Sequence, residues 1–411
     1  MSKIELIRQN LHRNQYKSHA STQITLDDDF IVPDAMDDME QIIVNSGDVI
    51  LDSVRNQEER VMIRGKLAFQ VLYRNPEGGL QTLAGNIAIE EPVNVPGLEE
   101  KDEAGVSWEL EDLSTEMINS RKLSVKAILT FQVRTEALVD GEAVVEARET
   151  ENGKMESQED SPLQVRKRTM DTAALKARRK DTARVRETIT LPGNKPAMEQ
   201  IIWKEMSLSL PSAKPQDGSL LAEGQIHVFC LYEGEGEEMP IQWFEETVPF
   251  SSVVELDQSS EGMPSFTRMR LVHKDLEIKP DADGELRELE LDAVVELDMK
   301  LYAEEPLELV EDLYATDREI NVIREETKFD KILTNTTGKC KVTDRMKYDS
   351  SDRILQICHN DGQIKIDQTE VKEDGLEISG VLEVTFLYMT SDDKEPIRSG
   401  SDVIPFQYFI E

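Results

Sequence analysis

Cysteine is nearly missing from this chain. Cys230, Cys340 and Cys358 are the three in 411 residues, an odd number, far apart and without a CxxC pair. That excludes a disulfide framework and fits a reducing compartment. Histidine is as scarce, at His12, His19, His227, His273 and His359, and aromatic residues make up only 5% of the chain. Few groups are therefore left for a metal centre or a sugar-stacking groove. Basic charge is in deficit: 47 Lys and Arg stand against 83 Asp and Glu, a formal net charge of −36. So acidic a surface repels phosphate backbones and anionic headgroups, which makes nucleic acid an unexpected partner. No stretch approaches the roughly 20 apolar residues that cross a bilayer, and the N-terminus carries no signal-peptide run, so the expected location is the cytoplasm. The catalytic phrases GxxxxGKS/T, GxGxxG after a strand, GxSxG and HExxH are absent as well. Neither an enzyme nor a cofactor is expected.

What the chain does contain is one pattern written three times. A Gln-Ile pair is followed 24 residues later by a glycine and eight residues after that by the end of a Leu-Tyr pair: Gln41, Gly65 and Tyr73; Gln200, Gly224 and Tyr232; Gln356, Gly380 and Tyr388. Tandem modules multiply surface, which tilts function toward binding and assembly. After each glycine, apolar residues recur with a period of two: Leu67, Phe69 and Val71; Ile226, Val228 and Cys230; Leu382, Val384 and Phe386. That period makes a β-strand with one face in a core. The glycine marks a strand entry or bulge where a side chain would collide. A turn rich in Gly, Asp, Glu and Pro follows each tyrosine. A second strand then ends in Pro249-Phe250 or Pro405-Phe406, 17 residues past the tyrosine, where the first copy has Glu90 and Glu91.

Copies one and two close with a longer alternating strand, Leu123 to Val133 and Leu289 to Leu301. Such alternation argues for antiparallel sheets with one buried and one wet face. The third copy never reaches this strand, because the sequence stops 31 residues after Gly380; an open edge and an uncovered apolar face make it read as a fragment. The expected fold is mainly β: tandem β-sandwich-like modules, three repeats with the third incomplete, and minor helix where Met39, Ile42 and Ile43 or Met198 to Trp203 could lie over an open sheet end. Module limits fall at 16–140, 163–304 and 322–411, with an acidic linker over 141–162.

Candidate chemistry is thin. His227 and Cys230, three apart on a strand, point to opposite faces, and Cys230 occupies the core place of Val71 and Phe386. Cys358 beside His359 could be an activated thiolate, yet Ile43 and Ile202 stand where Cys358 stands, which favours core filling. Asp281 to Glu285 has its glycine in the wrong place for a calcium loop and reads as a hairpin turn. One feature opposes the global charge: Arg166, Lys167, Arg168, Lys176, Arg178, Arg179, Lys180, Arg184 and Arg186 crowd into 21 residues. This is either a solvated face balancing nearby carboxylates or a docking strip for an acidic partner, with Arg166, Lys167, Arg168, Arg178, Arg179 and Lys180 as its candidate contacts.

The segments VPDAMDDMEQII, GKLAFQVLY, LPGNKPAMEQIIW, GQIHVFCLYEGEGEEMPIQWFEETVPF, DRILQICHNDGQIKI and GVLEVTFLYMTSDDKEPIRSGSDVIPF together resemble the SPOCS-domain family of spore-envelope morphogenetic proteins. The similarity covers nearly all of the chain, without the LysM domain that commonly ends members. The resemblance implies a non-enzymatic scaffold of the mother-cell cytoplasm that settles on the forespore surface and helps attach the basement layer of the spore coat. It also implies the spore-coat morphogenetic ATPase, stage IV sporulation protein A, as partner; self-association through the basic strip and another copy's acidic surface is a further expected contact. An envelope carbohydrate-binding array and an uncharacterised hydrolase are the other readings weighed.

Overall fold

The structure, a computed structural model, describes residues 3–151, 154–155, 162–236, 241–324, 326, 329–346, 354–392 and 394–411. Every repeated element among them is a strand. The first module contains β1 (Lys3–Ile31), β2 (Gln41–Gln57), β3 (Arg60–Arg74), β4 (Leu80–Asn94), β5 (Glu103–Asn119), β6 (Lys122–Glu151) and the short β7 (Lys154–Met155) paired to β6. The second contains β8 (Leu163–Thr190), β9 (Met198–Gln216), β10 (Ser219–Gly234), β11 (Ile241–Glu255), β12 (Ser265–Lys279) and β13 (Glu288–Ala315). The third contains β14 (Gln356–Lys372), β15 (Gly375–Met389) and β16 (Ile397–Ile410). All the pairings are antiparallel.

Each complete module is a sandwich of two sheets of three main strands, with the short β7 added to β6 as a fourth strand in the first module. The repeat motif supplies one sheet, β2-β3-β4 or β9-β10-β11, and the flanking strands supply the other, β1-β6-β5 or β8-β13-β12. The alternation decides what fills the space between. Leu123, Val125, Ala127, Leu129, Phe131 and Val133 are fully buried against Leu67, Phe69, Val71 and Tyr73. Leu289, Leu291, Ala293, Val295 and Leu297 do the same against Ile226, Val228, Cys230 and Tyr232. The third module has the motif sheet β14-β15-β16, and no second sheet faces it among the described residues.

Two elements differ from the sequence reading. Helix is absent among the described residues: Ile42 and Ile43 lie in β2, and Met198, Ile201, Ile202 and Trp203 lie in β9. The backbone N–H groups of Met39 and Met198 explain this, since they donate to the carbonyls of Ser120 and Leu286, both at 2.8 Å, rather than to a preceding turn of their own chain. The approach to each motif strand is instead pinned from the side. Arg121 donates to the carbonyls of Val32, Pro33 and Met36, and Arg287 to those of Pro192 and Lys195. Tyr73 and Tyr232 donate to the carbonyls of Asp37 and Pro196 from the other side.

Secondly, the first copy's counterpart of Pro-Phe is Ala88-Ile89 and not Glu90 and Glu91. Its turn holds five residues between the paired Arg74 and Leu80, against seven between Glu233 and Ile241 and between Met389 and Ile397. Ile89 thus sits opposite Gly65, as Phe250 sits opposite Gly224 and Phe406 opposite Gly380. Strands also run beyond the expected module limits, since β6 stays paired with β1 as far as Thr150, and β13 with β8 as far as Ala315. The remainder of the expected linker, residues 152–153 and 156–161, lies outside the described residues.

The glycine lies inside its strand, and the bulge lies on the strand before it. Registers slip at Leu51/Ser53, at the step from Ser212 to Ser209, and at Ile366/Gln368, each beside the motif glycine. A bulged backbone leans toward its neighbour and leaves no room for a side chain there. A Cβ on Gly65 would lie 2.3 Å from the Ile50 carbonyl oxygen, and one on Gly380 would lie 2.1 Å from that of Lys365. Both obstacles are backbone and do not yield. Gly65→Ala is expected to destabilise the first module by about 2 kcal/mol or more in urea unfolding. Gly193→Ala, with nothing within 4 Å of its Cβ, should stay within about 0.5 kcal/mol of the unaltered chain.

Candidate interaction surfaces

The Leu-Tyr pair has two destinations. Adjacent residues on a strand face opposite ways, so while each tyrosine enters its own module's inner face, Leu72, Leu231 and Leu387 point outward. The three leucines are 0%, 0% and 2% exposed, because the outward faces of the three motif sheets meet in a core of their own. Corresponding positions line it: Leu72, Leu231 and Leu387 from the central strands, with Leu80, Ile241 and Ile397 beside them. Ile43, Ile202 and Cys358 join as the residues skipped by a second bulge in β2, β9 and β14. Hydrogen bonds run from module to module around this core. Thr82 Oγ1 donates to the Ile202 carbonyl, Ser399 Oγ to the Ile43 carbonyl, and Gln70 Nε2 to the Lys204 carbonyl at 3.0 Å. Trp243 occupies the register position of Thr82 and Ser399 in the second module and carries Lys195 over its ring at 4.4 Å.

This geometry decides the candidate nucleophiles. Burial pushes the Cys358 thiol up to about 11 and the Cys230 thiol up to about 12, away from the thiolate that a nucleophile requires. Both side chains fill cores. His227 lies on the other face of β10 from Cys230 and contacts Thr247 Oγ1 at 3.0 Å. Asp281 closes the hairpin between β12 and β13 by accepting from the backbone N–H groups of Asp283 and Glu285. Among the described residues, no cluster of three His, Cys, Asp or Glu side chains is placed to hold a metal ion.

The basic stretch lies along β8, whose neighbour β13 presents carboxylates in register. Arg166 pairs with Glu311 at 2.8 Å, Lys167 with Glu308 at 2.8 Å, Arg168 with Glu311 at 3.7 Å and Lys180 with Asp298 at 4.0 Å. Arg179 pairs with Asp181 at 2.8 Å and donates to the Glu255 carbonyl. The side chains of Arg166, Arg168 and Lys180 remain 70%, 65% and 61% exposed, so these pairs are weakly held and open to exchange. Arg178 is different: it turns into the first module, where it meets Glu103 and lies 3.9 Å from Glu136. Lys300 and Asn14 also donate to Glu136, and Asn14 donates to Tyr302 Oη at 3.0 Å. Sequence reading grouped Arg178 with its neighbours because spacing along a strand does not reveal which side chain crosses to another module.

A second surface is the inner face of β14-β15-β16, equivalent to the faces that the other modules cover. Ile357, Ile364 and Ile366 share it with Leu382, Val384 and Phe386, and the three isoleucines are 54%, 67% and 55% exposed. At its far end the backbone at Gly338 approaches Tyr408 and Ile410. Along the rest, Ile357, Ile364 and Ile366 are open to solvent, Leu382 and Val384 are half-buried and Phe386 is buried.

A family model described as SipL, SPOCS domain, matches residues 38–118, 197–279 and 353–411, one match in each module and more than half of the chain. The chain belongs to the SipL SPOCS-domain family. The first two matches take in β2 to β5 and β9 to β12 and leave out the long strands β1, β6, β8 and β13. Comparison with curated proteins and with solved structures gives no match. The SipL SPOCS family is a non-catalytic sporulation family, and the chain is accordingly a sporulation-related protein with a role in protein partnership. Among the described residues, no helix is long and apolar enough to cross a membrane.

The Glu136 site fastens the first module to the second, and its charge is what fastens it. Burial works to raise the Glu136 carboxyl, but hydrogen bonds from Lys300 and Asn14 and the charges of Lys300 and Arg178 outweigh it and hold the group below its usual range. A depressed carboxylate stabilises the folded state above its unfolded pKa and loses that contribution as pH falls through the folded value. Glu136→Gln is therefore expected to cost about 1 kcal/mol at pH 7 in urea unfolding. The difference from the unaltered chain should disappear at pH values below the usual carboxylate range.

Proposed function

We propose that this chain is a non-enzymatic morphogenetic scaffold of the bacterial spore envelope, working in the mother-cell cytoplasm at the forespore surface, where it helps attach the basement layer of the coat through protein contacts. Family membership supplies the sporulation setting. The observation that carries a scaffold role is the inner face of β14-β15-β16. Two modules cover that face with a sheet of their own; in the third no sheet covers it among the described residues, and Ile357, Ile364 and Ile366 are more than half exposed. Contiguous exposed apolar surface of this kind marks an interaction site. Its geometry suits a partner that lays down a strand of alternating apolar residues, the pattern that β6 and β13 lay over the corresponding faces.

The partner is the spore-coat morphogenetic ATPase, stage IV sporulation protein A, implied by the resemblance. The exposed basic side chains Arg166, Arg168 and Lys180, with Lys167 and Arg179 on the same strand, offer a second contact to acidic surface on the partner or on another copy, whereas Arg178 is taken up by Glu103 and Glu136 of the first module. A formal net charge of −36 on the chain as a whole disfavours free self-association, which leaves the basic strip as the place where copies meet.

Pull-down of the coat ATPase by the full chain tests the proposal. Ile364→Asp combined with Ile366→Asp is expected to reduce capture at least tenfold, whereas Leu138→Asp, at a side chain 67% exposed on the first module, should leave it unchanged. Arg166→Glu with Arg168→Glu is expected to weaken capture more at low salt than at high salt. Undiminished capture by the double isoleucine variant would refute the face, and failure of the unaltered chain to capture the ATPase would refute the partner.

A further inference from the structure

His359 stands at a point of the inter-module core where the third copy departs from the other two. Its register position on β14, opposite Leu387, is filled by Val44 opposite Leu72 and by Trp203 opposite Leu231. Two modules place an apolar side chain there, and the third places an imidazole whose side chain is only 14% exposed. The ring lies flat on Phe229 of the second module, with centroids 3.9 Å apart and planes 14° from parallel. Both ring nitrogens face carboxylates of that same module: Nε2 is 3.0 Å from Glu205 Oε2 on β9, and Nδ1 is 3.2 Å from Glu245 Oε1 on β11.

Two acceptors on one imidazole carry the argument. A neutral imidazole has a single N–H, so one of these contacts would set a lone pair against a carboxylate; only imidazolium satisfies both. The surrounding charge leans the same way. Asp361 follows on β14, and its carboxyl is raised by burial and then by the Glu205 charge. Lys274 of β12 acts on Asp361 in the opposite direction, and it is itself paired with Asp48 of β2 at 2.7 Å. Lys204 of β9 is engaged by Asp275 at 3.2 Å, and Ser46 of the first module contacts Glu205 at 3.4 Å. Without the imidazolium, Glu205 and Glu245 lose the cation that both of them contact, and Glu205 keeps its repulsion with Asp361.

We infer that His359 is a pH-sensitive latch: protonated, it clamps the sheet β14-β15-β16 onto β9 and β11, and its deprotonation loosens the third module from the second. Burial works to lower the His359 value, but the hydrogen bonds and charges of Glu205 and then Glu245 prevail and raise it above 6.5. A raised histidine value stabilises docking fully below the ordinary value and loses that contribution as pH climbs through the raised one. Docking is thus firm in mildly acid solution and weakens toward alkaline pH. The latch works on contacts within the chain and does not depend on the identity of any coat partner.

The test uses the full chain. The five histidine Cε1–H signals are titrated by NMR, with His359 assigned by its loss in His359→Gln, and amide exchange is followed between pH 6 and pH 9 with correction for intrinsic rates. The expected result is a His359 midpoint above 6.5 and at least a tenfold loss of protection in β14 to β16 that tracks it, with protection in β3 and β6 unchanged. Glu205→Gln with Glu245→Gln keeps the ring and its packing and should shift the midpoint down by at least one pH unit, which a purely steric role for His359 would not do. A midpoint at or below 6.5, a midpoint unmoved by the double variant, or equal protection of β14 to β16 at the two pH values would each overturn the inference.

Discussion

The alternation of a β-strand at three Leu-Tyr pairs holds this molecule together. A period of two forces neighbouring side chains to opposite faces, so one dipeptide serves two cores at once. Tyr73 and Tyr232 close the sandwiches and anchor the turns before β2 and β9, while Leu72, Leu231 and Leu387 close the space between modules. A motif sheet buried on both faces cannot shift register by one residue without exposing a hydrophobic set on each side. Such a constraint accounts for the identical 24-residue and eight-residue intervals in the first two copies. Tyr388 is buried as fully as its counterparts although no second sheet faces it among the described residues.

Bulges are the second device, and they work in pairs. One beside each motif glycine bends the strand before it, and its carbonyl claims the space of a side chain at Gly65 and Gly380. The other extrudes Ile43, Ile202 or Cys358 into the inter-module core. The carbonyls of Ile43 and Ile202 then accept hydroxyl hydrogen bonds from Ser399 and Thr82 of a neighbouring module. Local irregularity in one module thereby becomes a hydrogen-bonding surface for the next. Burial in the same core explains why Cys358, adjacent to a histidine, is no activated thiol.

The sequence made the sandwiches legible because their inner faces are apolar in strict alternation, as Leu123 to Val133 and Leu289 to Leu301 show. The inter-module core was much less legible, since its face also carries Gln70, Thr385, Glu205 and Asp361, which read as ordinary solvent-facing residues. His359 looked like a companion of Cys358 for the same reason: neighbours in sequence were visible, and the carboxylates of another module were not. Counting from the tyrosine misplaced the Pro-Phe equivalent of the first copy, because a turn two residues shorter moves Ile89 into that position without altering the strands. The Met39 and Met198 segments mimicked helix starts, yet their N–H groups go to the loops before β6 and β13. Tertiary hydrogen bonds overrode a local pattern there.

Rigid modules joined through a shared core would give a scaffold a fixed spacing between its surfaces, the basic strip on β8 at one side and the apolar face of β14-β15-β16 at another. Amide exchange of the chain carrying Leu231→Ala tests that picture most directly, because Leu231 lies wholly outside the second sandwich and wholly inside the inter-module core. The account predicts that protection falls in β2 to β4 and β14 to β16 as well as in β9 to β11. A loss confined to β8 to β13, with the other two modules protected as before, would contradict it.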